Sequence, residues 1–309
     1  METVVVTGGA GFIGSHVVDA ILATTCRVVV LDDLSTGHPE NVADAADLEV
    51  VDIVDADALD RIIDAVTPST IFHLAAQSSV TVSVADPRRD CEVNVIGILN
   101  VLEAAERHRA PVVFTSTGGA LYGNEAPRPT PEAQPPAPVS PYGASKWAGE
   151  AYLRTWANAT QIGHTVCRLA NVYGPRQSPH GEAGVVSILS NLLWQGKPPT
   201  LYGYGRATRD YVHVADVAAA LLAARNAGGV FNVSTGRETE VMEIFTLLAE
   251  ASGARVEPDL APLRGGELDR SCMDPAQARR TLGWQAKVRL EDGVPATYHE
   301  LVSEFTTTA

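Results

Sequence analysis

The sequence predicts an α/β fold, a doubly wound parallel sheet with a smaller C-terminal α/β lobe. Three observations carry that expectation. Short continuous apolar runs alternate with longer amphipathic stretches through the first half of the chain. Such runs suit strands buried on both faces, as a parallel sheet covered by helices requires. A glycine-rich turn joins the first run to the first amphipathic stretch, and beyond about residue 170 the alternation loosens.

Taken in order, Val4-Val5-Val6 predicts the first strand, and Phe12, Ile13, Val17, Val18, Ile21 and Leu22 mark one face of the helix behind it. Further strands are expected at 28–31, 48–51, 70–73 and 112–115, with helices over 59–66 and 94–109 between them. The stretch 124–141 holds seven prolines. It reads either as a linker or as a stiff loop at the rim of a site. Ser140-Pro141 then gives an N-cap and a first-turn proline, so a helix should start there. Later helices are expected over 185–195, 216–225, 241–251 and 275–282. The division expected is 1–170 for the sheet domain, with some later segments returning to it, and 171–309 mainly for the smaller lobe.

Composition narrows the function. A chain of 309 residues, 45% hydrophobic and 19% charged, buries a sizeable core and is not disordered. Its net charge of −14 argues against nucleic acid as a partner, because phosphate neutralisation needs a basic surface. A few local arginines can still hold a small anionic substrate. Lysine occurs only at 146, 197 and 287. Four cysteines without a CxxC pair read as single buried or semi-buried thiols in a reducing compartment. The eight histidines include no metal-spaced pair, so no metal site is expected. The N-terminus has no basic run of a signal peptide, and the longest apolar stretch, 217–224, is too short to span a bilayer. A soluble, cytoplasmic protein with no membrane partner is expected.

Chemistry concentrates at three places. Thr7-Gly8-Gly9-Ala10-Gly11-Phe12-Ile13-Gly14 lies between the first strand and helix. Glycines there permit a tight turn and close approach to a pyrophosphate, while the helix N-terminus offers N–H groups to the anion. Asp32, ending the second strand, suits the ribose hydroxyls of NAD and repels the extra phosphate of NADP. Tyr142 and Lys146 fall one turn apart on the helix starting at Ser140. To act as a base near neutrality the phenol must drop about three units from its usual pKa near 10, and the lysine ammonium together with a positive nicotinamide ring is expected to lower it. Tyrosine and lysine often share a helix face, so the pair alone is weak. Thr115-Ser116-Thr117 adds weight, for it sits at the C-terminal end of a strand, where open parallel sheets bind ligands.

Together these motifs resemble the extended short-chain dehydrogenases/reductases, and most nearly their bacterial UDP-glucose 4-epimerases and UDP-hexose relatives. The resemblance runs from about residue 4 to 284. It includes Asp32-Asp33-Leu34-Ser35-Thr36-Gly37, His73-Leu74-Ala75-Ala76-Gln77, Asn94-Val95-Ile96-Gly97, Asn171-Val172-Tyr173-Gly174-Pro175, Arg209-Asp210-Tyr211-Val212-His213-Val214 and Arg264-Gly265-Gly266-Glu267. It implies a Rossmann domain with bound NAD and a UDP-sugar substrate. It places Gly8, Gly11, Phe12, Ile13 and Gly14 at the pyrophosphate, Asp32 and Asp33 at the ribose, and Asp52 and Ile53 at the adenine. Leu74, Ala75, Ala76 and Asn94 would line the rest of the dinucleotide, with Thr117, Tyr142 and Lys146 as catalytic residues. Asn171, Arg209 and Arg264 would hold the nucleotide diphosphate, with Val185 also in the substrate site. Thr200, Leu201, Tyr202 and Glu267 would surround the uridine, and Ser271 would stand beside the C2 substituent of the sugar. A homodimer through helices around 87–108 and 141–158 is also implied.

One departure bears on the reaction. Thr117 is followed by Gly118-Gly119, where the related dehydratases and decarboxylases carry acidic residues. That absence favours epimerisation over dehydration or decarboxylation, and 4-ketoreduction of a related nucleotide sugar stays an alternative. A non-catalytic NAD-binding sensor is the remaining alternative, and the intact Thr117, Tyr142 and Lys146 set argues against it.

Overall fold

The structure, a computed structural model, describes residues 1–179, 184–264 and 268–308. The chain opens with β1 (Thr3–Thr7), α1 (Phe12–Leu22), β2 (Arg27–Asp32), β3 (Asp47–Val50), α2 (Ala56–Val66) and β4 (Thr70–His73). It continues with α3 (Val80–Ala85), α4 (Pro87–Cys91), α5 (Gly97–Arg107), β5 (Val112–Thr117), α6 (Pro141–Thr160) and β6 (Thr165–Leu169). Next come β7 (Asn171–Tyr173), α7 (Val185–Trp194), β8 (Thr200–Tyr202), β9 (Thr208–Arg209) and β10 (Tyr211–His213). The chain ends through α8 (Val214–Ala223), β11 (Gly229–Val233), β12 (Thr239–Glu240), α9 (Val241–Ser252), β13 (Asp259–Ala261), α10 (Ala276–Leu282) and α11 (Leu290–Thr308).

Seven parallel strands form the main sheet in the order β11-β6-β5-β4-β1-β2-β3. β1 shows why these strands read as continuous apolar runs. Val4 and Val6 enter the core built with Val17 and Val18 of α1 and Val217 and Leu221 of α8. Val5 points the other way, into Leu59 and Ile63 of α2 and Ile98 and Leu102 of α5. Each of these valines is fully buried, worth about 2 kcal/mol apiece by area removed from water. The chain winds outward from β1 to β2 and β3, then crosses back to β4. The strand order therefore reverses at the β1–β4 crevice, the place where such sheets bind nucleotides.

A second core is built by α7, α9 and α11 around Tyr173, Leu201, Tyr211, Ile244 and Val294. Three two-stranded pairs, β7–β10, β8–β13 and β9–β12, fasten this part together. Most expected elements are present within two or three residues of their bounds. The 94–109 helix is one difference: a π-helical turn occupies Glu92–Ile96 before α5 begins. α11 is another, and its inclusion of Pro295 explains why a helix was not expected there. The cysteines also depart from expectation. Cys167 and Cys272 are buried and Cys26 half-buried, but Cys91 is exposed at the end of α4. No helix among the described residues is long and apolar enough to cross a membrane.

Candidate active site

The glycine turn closes on itself through backbone bonds. Gly11 N–H donates to the Gly8 carbonyl at 3.2 Å, and Gly8 adopts φ +70°. A β-carbon on Gly14 would overlap the Gly8 carbonyl oxygen, and one on Gly8 would stand 2.6 Å from the Ala75 backbone nitrogen. Only glycine allows the turn to approach α1 on one side and the β4 end on the other so closely. Gly11 caps α1 without a side-chain acceptor, so the first-turn N–H groups of Phe12, Ile13 and Gly14 face outward for an anion.

The strand ends around this turn supply the remaining surface. Asp32 ends β2, buried, with Oδ2 accepting from Ala10 N at 3.0 Å and Oδ1 from Leu34 N at 2.9 Å. Burial raises its pKa against the pull of those two bonds. Each carboxylate oxygen keeps a lone pair for a ribose hydroxyl. Asp33 beside it is exposed and holds Ser35. Asp52 and Ile53 follow β3, and Asp52 Oδ1 accepts from Val54 N at 2.9 Å. Leu74 and Ala75 are fastened to Thr7 of β1 through the Thr7 carbonyl and hydroxyl. Ala76 continues this half-buried wall. These residues form one connected surface at the C-terminal edge, and its close backbone approach, unpaired helix N–H groups and terminal carboxylate fit a dinucleotide.

The catalytic candidates meet at the next strand end. Ser140 Oγ accepts from Gly143 N at 3.2 Å and Pro141 occupies the first turn, so α6 starts where the sequence placed it. The Tyr142 phenol faces the Thr117 hydroxyl at the end of β5, an interaction that favours its ionised form. Thr117 Oγ1 also accepts from Ala120 N at 3.2 Å, which folds the glycine pair back over the strand end. Lys146 is buried, its Nζ donating to the Thr115 carbonyl at 3.2 Å and lying 4.8 Å from the Phe114 ring centre.

Electrostatics correct one expectation. Burial, with the facing Asp90 carboxylate, pushes the Tyr142 phenol up to about 12, and the Thr117 hydroxyl only partly offsets this. Burial lowers Lys146 to about 8, while Asp90 and Glu150 raise it. The lysine turns toward a carbonyl and a ring and does not by itself pull the phenol down. Asp90 escaped sequence reasoning altogether. It is buried, and Oδ1 accepts from Gln77 Nε2 at 2.8 Å and Asn94 Nδ2 at 3.1 Å. Asn94 sits in the π-helical turn with its amide also reaching the Gln77 carbonyl and Ser145 Oγ. It therefore braces the site from behind.

The substrate candidates spread over the second lobe and its junction. Asn171 opens β7, with its amide oxygen 3.9 Å from the point where a β-carbon on Gly119 would stand. That brings it beside the catalytic loop. Arg209 donates to the carbonyls of Thr208, Leu268 and Asp269 at 2.8 to 3.3 Å. Its guanidinium thus anchors the strip leading to Ser271, whose N–H donates to the Thr208 carbonyl. Arg264 lies 4.4 Å over the exposed Tyr202 ring. Thr200 is exposed, but the Leu201 side chain is buried in the lobe core, so that residue can face a ligand only through its backbone. Val185 opens α7, half-buried. Glu267 lies outside the described residues.

A glycine-turn dinucleotide cradle beside a Thr-Tyr-Lys group on one sheet edge defines a nucleotide-cofactor enzyme of the extended short-chain dehydrogenase/reductase type. The chain belongs to the NAD dependent epimerase/dehydratase family, whose model matches residues 4–234. It is 48% identical over 301 residues to a UDP-glucose 4-epimerase of Mycolicibacterium smegmatis, covering 94% of this chain and 96% of that one. The crystal structure of a Thermotoga maritima UDP-glucose 4-epimerase with UDP-glucose superposes with a TM-score of 0.96 at 43% identity. That match covers 98% of this chain and 99% of the other. A Thermus thermophilus UDP-glucose 4-epimerase in complex with NAD gives a TM-score of 0.90 at 43% identity, covering 97% and 98%.

Proposed function

We propose that this chain is an NAD-dependent 4-epimerase of UDP-hexoses, interconverting UDP-glucose and UDP-galactose through a transient 4-keto sugar. The convergence of Thr117, Tyr142 and buried Lys146 at one strand end, next to the dinucleotide cradle, is the observation that carries the reading. Bound NAD supplies the redox chemistry at C4 and a positive ring charge that favours the phenolate of Tyr142. Tyr142 takes the C4 hydroxyl proton and later returns it, while Thr117 shares that proton through its hydroxyl. Lys146, anchored on the Thr115 carbonyl, provides a fixed ammonium at the same strand end. Residues 171–309 mainly grip the nucleotide. Asn171, Val185, Thr200, Leu201, Tyr202, Arg209, Arg264 and Glu267 hold the UDP, and a loose hold on the sugar lets it present either face.

The loop after Thr117 supports epimerisation over elimination. Gly118 and Gly119 bring no acid or base to the sugar, and Gly118 is packed under Met273. Ser271 leaves room beside C2, so N-acetylhexosamines fit the same reading. The active form is a cytoplasmic homodimer. Val80, Val82 and Val84 on α3, Ile96 in the π-helical turn and Tyr152 on α6 are large apolar side chains left exposed at 39 to 65%. Ile96 and Tyr152 lie in the two stretches that such a dimer would join, and α3 packs beside them against α4 and α6.

Proton NMR of purified, NAD-loaded protein with single UDP-sugars tests the assignment. Conversion of UDP-galactose to UDP-glucose without net NADH is expected, and Tyr142→Phe should abolish it while sparing NAD binding. Full turnover in that variant, or accumulation of a keto sugar, would defeat the reading.

A further inference from the structure

We propose that Glu150 is a positioning residue: with Arg168 and Ser116 it fixes the register of α6 against the strand end that bears Thr117. The inference rests on the epimerase reading above. Glu150 follows Lys146 by one turn and Tyr142 by two, so the three share one face of α6. Its carboxylate is buried, and so is the guanidinium paired with it, at side-chain exposures of 3% and 4%. Arg168 Nε lies 3.0 Å from Oε1 and Nη2 lies 2.6 Å from Oε2, a two-pronged grip that fixes orientation as well as distance. Ser116 Oγ donates to Oε1 at 2.5 Å.

The place of this pair in the sheet gives it a consequence for the site. Ser116 and Arg168 are register partners on β5 and β6, so one helix carboxylate closes onto two adjacent strands at the same level. Ser116 stands between Thr115, whose carbonyl holds Lys146, and Thr117, whose hydroxyl the Tyr142 phenol faces. α6 therefore meets β5 at three successive residues, and only the middle contact has no part in the chemistry. Arg168 spends its remaining nitrogen on Tyr122 Oη at 2.7 Å and the Glu132 carbonyl at 3.2 Å. Tyr122 in turn donates to Asn232 Oδ1 at 3.0 Å, which carries the network to β11. A buried ion pair is commonly no more stabilising than apolar residues of equal volume, so stability alone does not account for it. Fixing the catalytic register does.

The carboxylate also bears on Lys146. The groups facing that ammonium are Asp90 of α4, Glu150 of α6, His73 of β4, and the Thr115 carbonyl and Phe114 ring of β5. His73 is uncharged near neutrality, so the two carboxylates alone offset the loss of solvent. Removing Glu150 should leave Lys146 easier to deprotonate.

Two variants test this in the NAD-loaded protein. Ser116→Ala deletes one hydroxyl, and Glu150→Gln removes the charge while keeping the shape. Ser116→Ala should keep NAD content and KM for UDP-galactose within about twofold while kcat falls about tenfold, the scale expected for a small misplacement of catalytic groups. With only three lysines in the chain, 13C NMR at Cε can follow Lys146 directly. Its midpoint, expected near 8, should move down in Glu150→Gln, and the alkaline limb of kcat should move with it. Unchanged kcat per NAD-loaded molecule in Ser116→Ala together with an unmoved Lys146 midpoint in Glu150→Gln would overturn the proposal. Failure of the epimerase reading looks different: the unsubstituted protein would turn over no UDP-hexose, while the lysine titration would still report on Glu150. Should Glu150→Gln fail to fold, Ser116→Ala decides the matter by its split between kcat and KM.

Discussion

Gly118 shows how a missing side chain shapes the catalytic edge. A β-carbon there would overlap the sulfur of Met273, which is 1% exposed and has little room to retreat. Gly118→Ala must push Met273 aside or displace the end of β5, at a cost of about 1–3 kcal/mol for overpacking. Turnover should fall and Tm should drop, with Met273→Ala in the same background restoring part of both. A thermal melt and kinetic assay of the two single variants and the double variant measure that coupling. At this scale the sequence told more about donors than about packing. Asp32, Tyr142, Lys146 and Thr117 were legible because their chemistry is tied to strand and helix ends. Asp90 and Glu150 were not, since a carboxylate on a helix reads as a solvated surface group until its neighbours are known.

The helix α6 carries two of the three proposed catalytic side chains, Tyr142 and Lys146, and its start is set by local chemistry. Ser140 accepts from Gly143 N and Pro141 supplies a ready-made backbone angle. Ser140→Ala should lower stability by about 1 kcal/mol, a shift of about 2–4 °C in Tm for a chain of this size. Because Tyr142 is in the first turn, fraying there should also reduce kcat more than KM, and steady-state kinetics beside a melting curve will show it. Elements of this kind are legible because cap, proline and periodicity agree. The paired strands β7–β10, β8–β13 and β9–β12 were not, for two or three residues are too few to establish an alternation. The π-helical turn at Glu92–Ile96 left no breaker in the sequence either, although it points Asn94 at Asp90 and Ser145. α11 was hidden by Gly293 and Pro295. Gly293 is required because a β-carbon there would collide with the Tyr173 hydroxyl.

For the whole molecule, acid sensitivity follows from two interior histidines. Burial holds His73 near 3 and His164 near 4, far below the ordinary value of 6.5. Val112 N–H donates to His164 Nδ1 at 3.0 Å, so the neutral ring carries its proton on Nε2. Both rings are neutral in the fold but take up protons in the unfolded chain below about pH 6.5. Their contribution is therefore intact above that value and is lost as pH falls toward 4. Asp32 and Asp210, raised by burial, act in the opposite sense as pH falls. Replacing His164 with Asn removes one titration, so the Tm difference between variant and unsubstituted protein should shrink steadily from pH 6.5 to 4. A pH series of melting curves checks it, and a constant difference would rule out this linkage. The fold class was legible at this scale because doubly covered strands leave a strong apolar signature. The second lobe's core was not, since its helices collect from stretches far apart in the chain.

The strip from Leu268 to Met273 has contacts that reach in two directions. Arg209 grips the carbonyls of Leu268 and Asp269, Asp210 accepts from Cys272 Sγ and Met273 N, and Met273 fills the space over Gly118. Ser271 rides in the middle of that strip. On the proposed placement of Ser271 beside the sugar, sugar choice and chemical speed are carried on one short lever, so substitutions that broaden the accepted sugars there will slow the enzyme, and selection for new substrates must retune the Met273–Gly118 contact in step.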